Sequence, residues 1–380
     1  MGLLRRYRVY RAWVEPGAGV ALAVSTMIAA NNSVKRCLLL AAGPRTLRDQ
    51  VAGLASRMII AALQGMTYGV DSIQDLASMR VYGAMLVCIG SKCYADPGPG
   101  GYIRVGRREI DKPLKFELKG GSITVSYGDT AAMADYGRRA RLERGVKTFH
   151  VDTFLGKRKN NEDTGLVSSV RISYNSSAMN VIVGVVADGA GGLKAGERAS
   201  NSAVASFYSS VLSSYLEGAR LSECVYRAIL DANSAVLLSM EEVGKQIATT
   251  LTGGLIDGEN VALAHVGDSR AYIVDHMRGM ARRITEDHKA SPGSHVITRA
   301  LGLEKEVKAD IVSARLPAGY TLLLCTDGVT DVIRDAEIGV LARNNFNPKN
   351  LARAILSLVR SRGAPDNATL ALVSNGLPLK

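Results

Sequence analysis

The sequence predicts an α/β protein of the α+β type, with packed and largely antiparallel sheets, and three observations predict it. Short apolar stretches of strand length come in clusters along the second half of the chain. Two long segments with helical spacing, 195–217 and 221–243, interrupt those clusters as a helical hairpin, so strands and helices do not alternate as they would in a doubly wound sheet. Apolar runs also end repeatedly in an acid. In VIVGVVADGAGG, residues 181–192, small and β-branched residues suited to a buried strand stop at Asp188, and Gly189 allows close backbone approach just beyond it.

At 380 residues the chain is long enough for two domains, and its 47% hydrophobic content and 10 prolines fit a folded globular protein. A boundary is expected near Gly145, with a smaller, basic, mixed α/β domain of unknown function over residues 1–146 and a larger domain over 147–380. The net charge of +12 is uneven: residues 1–146 hold 21 Lys/Arg against 11 Asp/Glu, and the remainder 26 against 24. Basicity therefore belongs to the front, where it forms a solvated face or attracts nucleic acid, an anionic membrane or an acidic protein. Cys37, Cys88, Cys93, Cys224 and Cys325 are scattered and odd in number, which points to reduced intracellular thiols. Cys88 and Cys93 lack the second pair that a zinc site needs and read as packing residues. The apolar run 17–30 is too short for a membrane span, and no clean signal-peptide pattern opens the chain. A cytoplasmic protein with no membrane partner is expected.

The opening LLRRYRVYRAW alternates basic with apolar or aromatic residues, a pattern for a half-buried strand with one positive face. Tyr7, Tyr10 and Trp13 would suit stacking on nucleic acid, although no known binding module surrounds them. Residues 18–42 read as helix or strand segments separated at Asn31-Asn32. Thr46, with Asp49, caps a helix whose face is Leu47, Val51, Leu54, Met58 and Ala62 and whose end is Gly65; Ser72 and Asp75 open a shorter one. One strand is expected over 81–89, followed by the turn-rich ADPGPGGY and by strands in YIRVG, LKFEL and SITVSY, the last two joined as a hairpin at Gly120-Gly121. Asp129 caps a final helix through TAAMADYGRRARLERG. GPGG lacks the lysine and Ser/Thr of a nucleotide-binding loop and reads as a turn, so nothing in the front gathers an obvious chemistry.

Beyond the boundary, strands are expected at 167–173 and 181–187, ahead of the two helices. Ala205, Tyr208, Val211, Leu212 and Tyr215 line the first helix, and Cys224, Ala228, Leu230 and Val236 the second. Further strands are expected at 249–256, 261–266, 271–274, 309–312, 320–325 and 369–373, with a helix over 350–358 before the last.

Strand-end acids recur at Asp268 in AHVGDSR, Asp327 in LLLCTDG and Asp366 in DNATLALV. Together with Asp188 and with Glu162 and Asp163 upstream, they form an all-oxygen set without a His/Cys cluster, which suits hard divalent ions such as magnesium or manganese. Carboxylates converging on one point repel each other unless a cation neutralises them. The plainer alternative is that each acid merely shapes a turn, as DG and DN do.

Eight segments resemble, in chain order, the metal-dependent 2C-type serine/threonine protein phosphatase (PPM) family: GKRKNNED, ADGAGG, TTLTGGLI, AHVGDSRAYIV, ITEDHK, VITRALG, LLLCTDGVTDVI and DNATLALV. They span about residues 149–374. The resemblance implies two packed antiparallel sheets flanked by helices, with a metal centre at one end. It implies hydrolysis of phosphoserine and phosphothreonine in proteins by a metal-activated water, without a phosphoenzyme. The implied cofactors are Mn2+ or Mg2+, two ions per site with a weaker third. Asp188 would bridge the pair as the catalytic ligand and the Gly189 carbonyl would bind one ion. Glu162, Asp163, Asp327 and Asp366 would complete the shell, and Asp268 with Asp327 would hold the third ion. Arg158 would be the catalytic arginine that clamps substrate phosphate, since its fork matches two oxygens. Implied partners are phosphorylated proteins, such as a serine/threonine kinase or its substrates.

The sequence departs from one family pattern at Ala190, where many eukaryotic members carry a histidine proposed to protonate the leaving alcohol. Bacterial relatives often lack it too. His288 is read as peripheral, Ser269 and Arg270 as orienting the Asp268 turn, and 288–302, with Ser291-Pro292-Gly293, as the start of a mobile flap. Two competing readings are a catalytically weak sensor or scaffold of the same fold, and a nucleic-acid-associated regulator acting through residues 1–146.

Overall fold

The computed structural model describes residues 9–15, 20–29, 37–43, 78–82, 85–89, 92–97, 101–105, 108–117, 121–127, 130–137, 147–174, 177–191, 195–291, 294 and 296–376. The chain divides into two compact units. The first comprises residues 1–27, 33–142 and 168–181; the second comprises 28–32, 143–167 and 182–380.

The described front elements are strands: β1 (Val9–Glu15), β2 (Val20–Ala29), β3 (Cys37–Gly43), β4 (Ser78–Tyr82), β5 (Met85–Ile89), β6 (Lys92–Asp96), β7 (Tyr102–Val105), β8 (Arg108–Ile110), β9 (Leu114–Glu117), β10 (Gly121–Tyr127) and β11 (Thr130–Gly137). One sheet runs in the order β1-β11-β10-β4-β7-β8, with β10 and β4 parallel. A second series pairs β2, β3, β5, β6 and β9 in turn, each antiparallel to the next. Leu39, Leu40, Leu86, Ile103, Ile123 and Val125 are buried here.

Several front expectations are corrected by this pairing. The helix expected from Asp129 is strand β11 over 130–137, because that segment lies between β1 and β10 and both ladders satisfy its backbone, outweighing the helix preference of its alanines. The single strand at 81–89 is two strands in different ladders, β4 and β5. LKFEL and SITVSY do not pair as a hairpin: β9 joins β6, and β10 joins β11 and β4. Cys88 and Cys93 face each other across β5 and β6 and form a disulfide, so the expectation of reduced thiols fails at this pair; Cys224 and Cys325 are free and buried. The helices expected at 46–65 and from Ser72 lie outside the described residues.

The second unit contains β12 (Thr148–Phe154), the 163–167 part of β13 (Asp163–Tyr174), the 182–190 part of β14 (Ser177–Ala190), α1 (Ala195–Leu216) and α2 (Leu221–Val243). It continues with β15 (Ala248–Thr249), β16 (Leu251–Asp257), β17 (Asn260–Val266), β18 (Arg270–Asp275), β19 (Met280–Arg283), β20 (Asp310–Arg315), β21 (Tyr320–Cys325), α3 (Asp327–Thr330), α4 (Asp335–Arg343), α5 (Pro348–Ser361) and β22 (Ala368–Asn375). One sheet orders β12-β22-β21-β18-β19 with every pair antiparallel; the other orders β20-β17-β16-β14-β13.

Period-two alternation builds the layers. Ala271, Ile273, Leu322, Leu324, Ala371 and Val373 face inward and pack with Ile182, Val186, Ile256 and Leu263 of the other sheet. Their neighbours Tyr272, Val274, Leu323, Cys325, Leu370 and Leu372 face outward onto Ile338, Leu351, Ile355 and Val359 of α4 and α5. On the other side, a Cβ at Gly253 would lie 2.7 Å from the Phe207 ring of α1, so glycine lets this helix sit close on β16. The sandwich with helices on both outer sides is the expected architecture. Among the described residues no helix is long and apolar enough to cross a membrane.

Candidate active site

Antiparallel pairing places the C-terminal end of one strand beside the N-terminal start of its neighbour, and this gathers acids distant in sequence. Asp163 opens β13 and Asp188 stands near the end of β14. Asp268 lies in the link from β17 to β18, Asp327 follows β21, and Asp366 precedes β22. Arg270 at the start of β18 pairs with Cys325 at the end of β21, and Cys325 pairs with Leu370. One end of the second unit therefore carries all five aspartates.

Neighbouring polar groups fix their positions. Asp163 Oδ2 accepts from Thr326 Oγ1 at 2.8 Å, and Asp163 N donates to Asn161 Oδ1 at 3.1 Å. Asp188 is pinned through its backbone: its N–H donates to Thr250 Oγ1 at 2.9 Å, and its carbonyl accepts from Thr250 N at 2.9 Å and Thr249 Oγ1 at 2.8 Å. Glu162 N donates to Asn367 Oδ1 at 2.9 Å, while its carbonyl accepts from Ser200 Oγ at 2.6 Å and Gly189 N at 3.2 Å. A Cβ at Gly189 would lie 2.0 Å from the carbonyl oxygen of Gly196, so only glycine permits the end of β14 to cross the start of α1 this closely. Arg158 donates to Asp366 Oδ2 at 2.5 Å, with its side chain 56% exposed.

The electrostatics of these acids are unfavourable as they stand. Glu162 Oε1, Asp163 Oδ1, Asp268 Oδ1 and Asp327 Oδ1 are buried without a hydrogen-bond partner. Burial, helped by the charges of Asp327 and Asp366 and opposed by hydrogen bonds from Thr326 and Thr369, raises Asp163 to about 7. Burial and the charges of Asp163 and Asp327 raise Asp188 well above the ordinary carboxylate range. Asp327 is raised to about 6, first by burial and then by Asp268 and Asp331. Burial also raises Glu162, against the charge of Arg158. Among the described residues no three such side chains are drawn into a closed metal-ligand cluster. Four of the acids instead keep a buried oxygen without a partner, a donor set that fits hard divalent cations and leaves those carboxylates costly without one.

Other expected residues have structural partners. His288 Nδ1 accepts from Gly267 N at 3.1 Å, so its Nε2 carries the proton and donates to Asp310 Oδ2 at 3.1 Å. Ser269 Oγ shares a hydrogen bond with Thr250 Oγ1, and Arg270 grips Asp287 at 2.6–3.2 Å. Ala190 is exposed and lies opposite Ala248. In the expected flap, Lys289 bridges Ile297 and Thr298 N donates to His288 O at 2.7 Å, while Pro292 and Gly293 lie outside the described residues.

Sequence reasoning missed Thr326, Asn367, Thr249, Thr250 and Ser200, whose polar groups hold the acids. Thr326 and Asn367 are each adjacent to one of the acids, which was the available signal; Ser200 is an ordinary helical serine until the fold brings it to Glu162. Lys289 was also missed: its Nζ lies 3.0 Å from Asp268 Oδ2, where a third ion had been expected.

The family profile for protein phosphatase 2C matches residues 161–369, more than half of the chain. The chain belongs to the protein phosphatase 2C family. Among similar proteins, the serine/threonine phosphatase stp of Listeria innocua is 28% identical over 244 residues, covering 59% of this chain and 93% of that protein. The protein phosphatase PhpP of Streptococcus pneumoniae is 26% identical over 238 residues, covering 57% and 93%. The crystal structure of the serine/threonine phosphatase PstP/Ppp of Mycobacterium tuberculosis matches with a TM-score of 0.52 and 27% identity, covering 60% of this chain and 99% of that one. A structure of the PstP catalytic domain in complex with two manganese ions matches with a TM-score of 0.50 and 28% identity, covering 60% and 97%. The protein phosphatase 2C match thus takes in every acid of the set and leaves the front unmatched by the profile.

Proposed function

We propose that this protein phosphatase 2C hydrolyses phosphoserine and phosphothreonine in proteins at a two-ion centre of Mn2+ or Mg2+ held by Glu162, Asp163, Asp188, the Gly189 carbonyl, Asp327 and Asp366. That it is a protein serine/threonine phosphatase rests on the family match and the named relatives. The observation that carries the site is the set of buried, partnerless carboxylate oxygens of Glu162, Asp163 and Asp327, beside an Asp188 that burial and then the charges of Asp163 and Asp327 raise. Hydrogen bonds from protein donors would have satisfied structural turn acids; these oxygens have none.

Bound divalent ions would supply Lewis acidity and a water of lowered pKa for attack on phosphorus. The chain's own residues supply the rest. Thr326, Thr249, Thr250 and Asn367 hold the acids, directly or through their backbone, so that little reorganisation is needed as charge develops. Arg158 offers a planar donor fork to the phosphoryl oxygens and is kept near the acids by Asp366 until substrate arrives. Ala190 has no proton to give and His288 is committed to Gly267 and Asp310, so neither serves as the acid for the leaving alcohol. The partner class this chemistry implies is phosphoproteins, including a serine/threonine kinase or its targets. The matches do not favour a sensor, a scaffold or a nucleic-acid regulator.

The test is manganese-dependent phosphate release from a phosphothreonine peptide by the full chain, with Asp188→Asn as control. Release by the parent that chelation abolishes and the variant lacks is the expected result. Equal release by a folded Asp188→Asn variant overturns the assignment of the centre.

A further inference from the structure

Asp268 is paired with a largely buried cation, whereas the arginine that meets Asp366 at this end of the second unit is largely exposed. Lys289 Nζ lies 3.0 Å from Asp268 Oδ2 and 3.9 Å from Asp331 Oδ1. The two paired side chains, Lys289 and Asp268, are 10% and 2% exposed, so water and salt screen this pair poorly. Asp331 lies one helical turn after Asp327, its N–H donating to the Asp327 carbonyl at 2.8 Å, which puts both side chains on one face. The ammonium therefore pairs with Asp268 and Asp331 and feels the charge of Asp327 as well.

Its placement is built in by backbone contacts. Lys289 sits at the base of the 288–298 loop, opposite Ile297 in a β-bridge, with Ala290 N donating to Val296 O at 3.0 Å. His288 next to it is stitched twice to the turn that carries Asp268: His288 N donates to Gly267 O at 2.8 Å and Gly267 N donates to His288 Nδ1 at 3.1 Å. The loop base and the Asp268 turn thus form one braced unit, with the lysine aimed inward.

We propose that Lys289 is an internal monovalent cation that takes the place where Asp268, with Asp327, would otherwise receive a third divalent ion, and that it anchors the 288–298 loop to the carboxylates without metal. A divalent ion on Asp268 would have to share that carboxylate with an ammonium of like charge, in a setting too dry to screen the repulsion. Asp268 Oδ1 has no partner, so loss of the ammonium leaves a carboxylate with both oxygens available to a metal. The inference rests on the two-ion reading above, and the experiment separates the two.

Metal-free full-length protein is titrated with Mn2+, counting ions by calorimetry and by the electron paramagnetic resonance signal of free Mn2+. Expected is two ions in the parent and in Lys289→Arg. Lys289→Ala gains a third, weaker ion that binds roughly tenfold or more tighter than any third event in the parent. The double variant Lys289→Ala/Asp268→Asn loses that ion again. Asp268→Asn alone keeps two, because Asp268 holds none; this arm stands if Lys289→Ala fails to fold. A third ion in the parent as tight as in Lys289→Ala, no third ion in a folded Lys289→Ala, or loss of an ion in Asp268→Asn overturns the inference while leaving the two-ion centre intact. No ion in the parent overturns the centre and this inference with it.

Discussion

The acids gathered at the strand ends and three acids elsewhere, Asp287, Asp310 and Glu337, belong to the same unit, yet their surroundings drive them in opposite directions. Asp287 is part-buried; burial pushes it upward, but the hydrogen bonds and charge of Arg270 outweigh that and hold it below its ordinary value. Asp310 is likewise lowered against burial by His288 and Arg299, and Arg362 holds Glu337 down at about 2. Asp163, Asp188 and Asp327 are raised, first by burial and then by the charges of neighbouring acids. The difference separates acids whose basic partner lies within the chain from acids raised by burial among acidic neighbours, and the proposed metal centre draws on the second kind.

The strongest way to break the comparison is Asp188→Asn, which removes charge with little change of volume. Turnover should fall by more than about 100-fold, beyond the usual cost of losing an outer-shell partner alone, while the metal-free melting temperature holds or rises. A melt lowered along with activity would make Asp188 a structural acid after all. Arg158→Ala removes a charge-assisted phosphate contact worth about 1.5–3 kcal/mol, or roughly 10- to 100-fold in kcat/KM on a phosphopeptide; unchanged kinetics would remove its role. On the structural side, Arg270→Gln should cost about 2 kcal/mol of stability by leaving Asp287 without its charged donor, with activity per folded molecule retained. Denaturant melts and specific activity together test that separation.

The pH dependence sharpens the contrast further. Asp163 titrates at about 7 in the fold against an ordinary aspartate value of 3.8. Its contribution to metal-free stability is fully present below about 4 and is lost as pH rises through about 7, since the folded state binds its proton more tightly. Asp287 works the other way, contributing above its unfolded value and losing that contribution as pH falls. In chelator, Asp163→Asn should therefore gain stability relative to the parent between about pH 4 and 7, and Mn2+ should stabilise the parent increasingly over the same window. Parallel melting curves for parent and variant would show that Asp163 does not carry the strain.

Much of the second unit was legible locally. Strands β17, β18, β21 and β22 and helices α1, α2 and α5 follow from apolar periodicity, and the acids at Asp188, Asp327 and Asp366 are marked by the apolar strands they adjoin. Residues 148–154 and 280–283 were missed as strands because each is short or mixed in polarity and is stabilised by one neighbour, β22 or β18. In the front, the alanines of 130–134 favour a helix when read alone, and only the ladders to β1 and β10 reverse that.

The sequence by itself determined the second unit's class, the family and the identity of the acids, because those depend on residue type, short-range period and the order of motifs. Tertiary structure alone decided which acids share a neighbourhood, that Thr326 and Asn367 brace them, that Arg158 rests on Asp366, and that Lys289 reaches Asp268. The reason is physical: antiparallel pairing joins chain segments as far apart as Arg158 and Asp366, and the free energy of a buried charge depends on such neighbours rather than on its place in the chain.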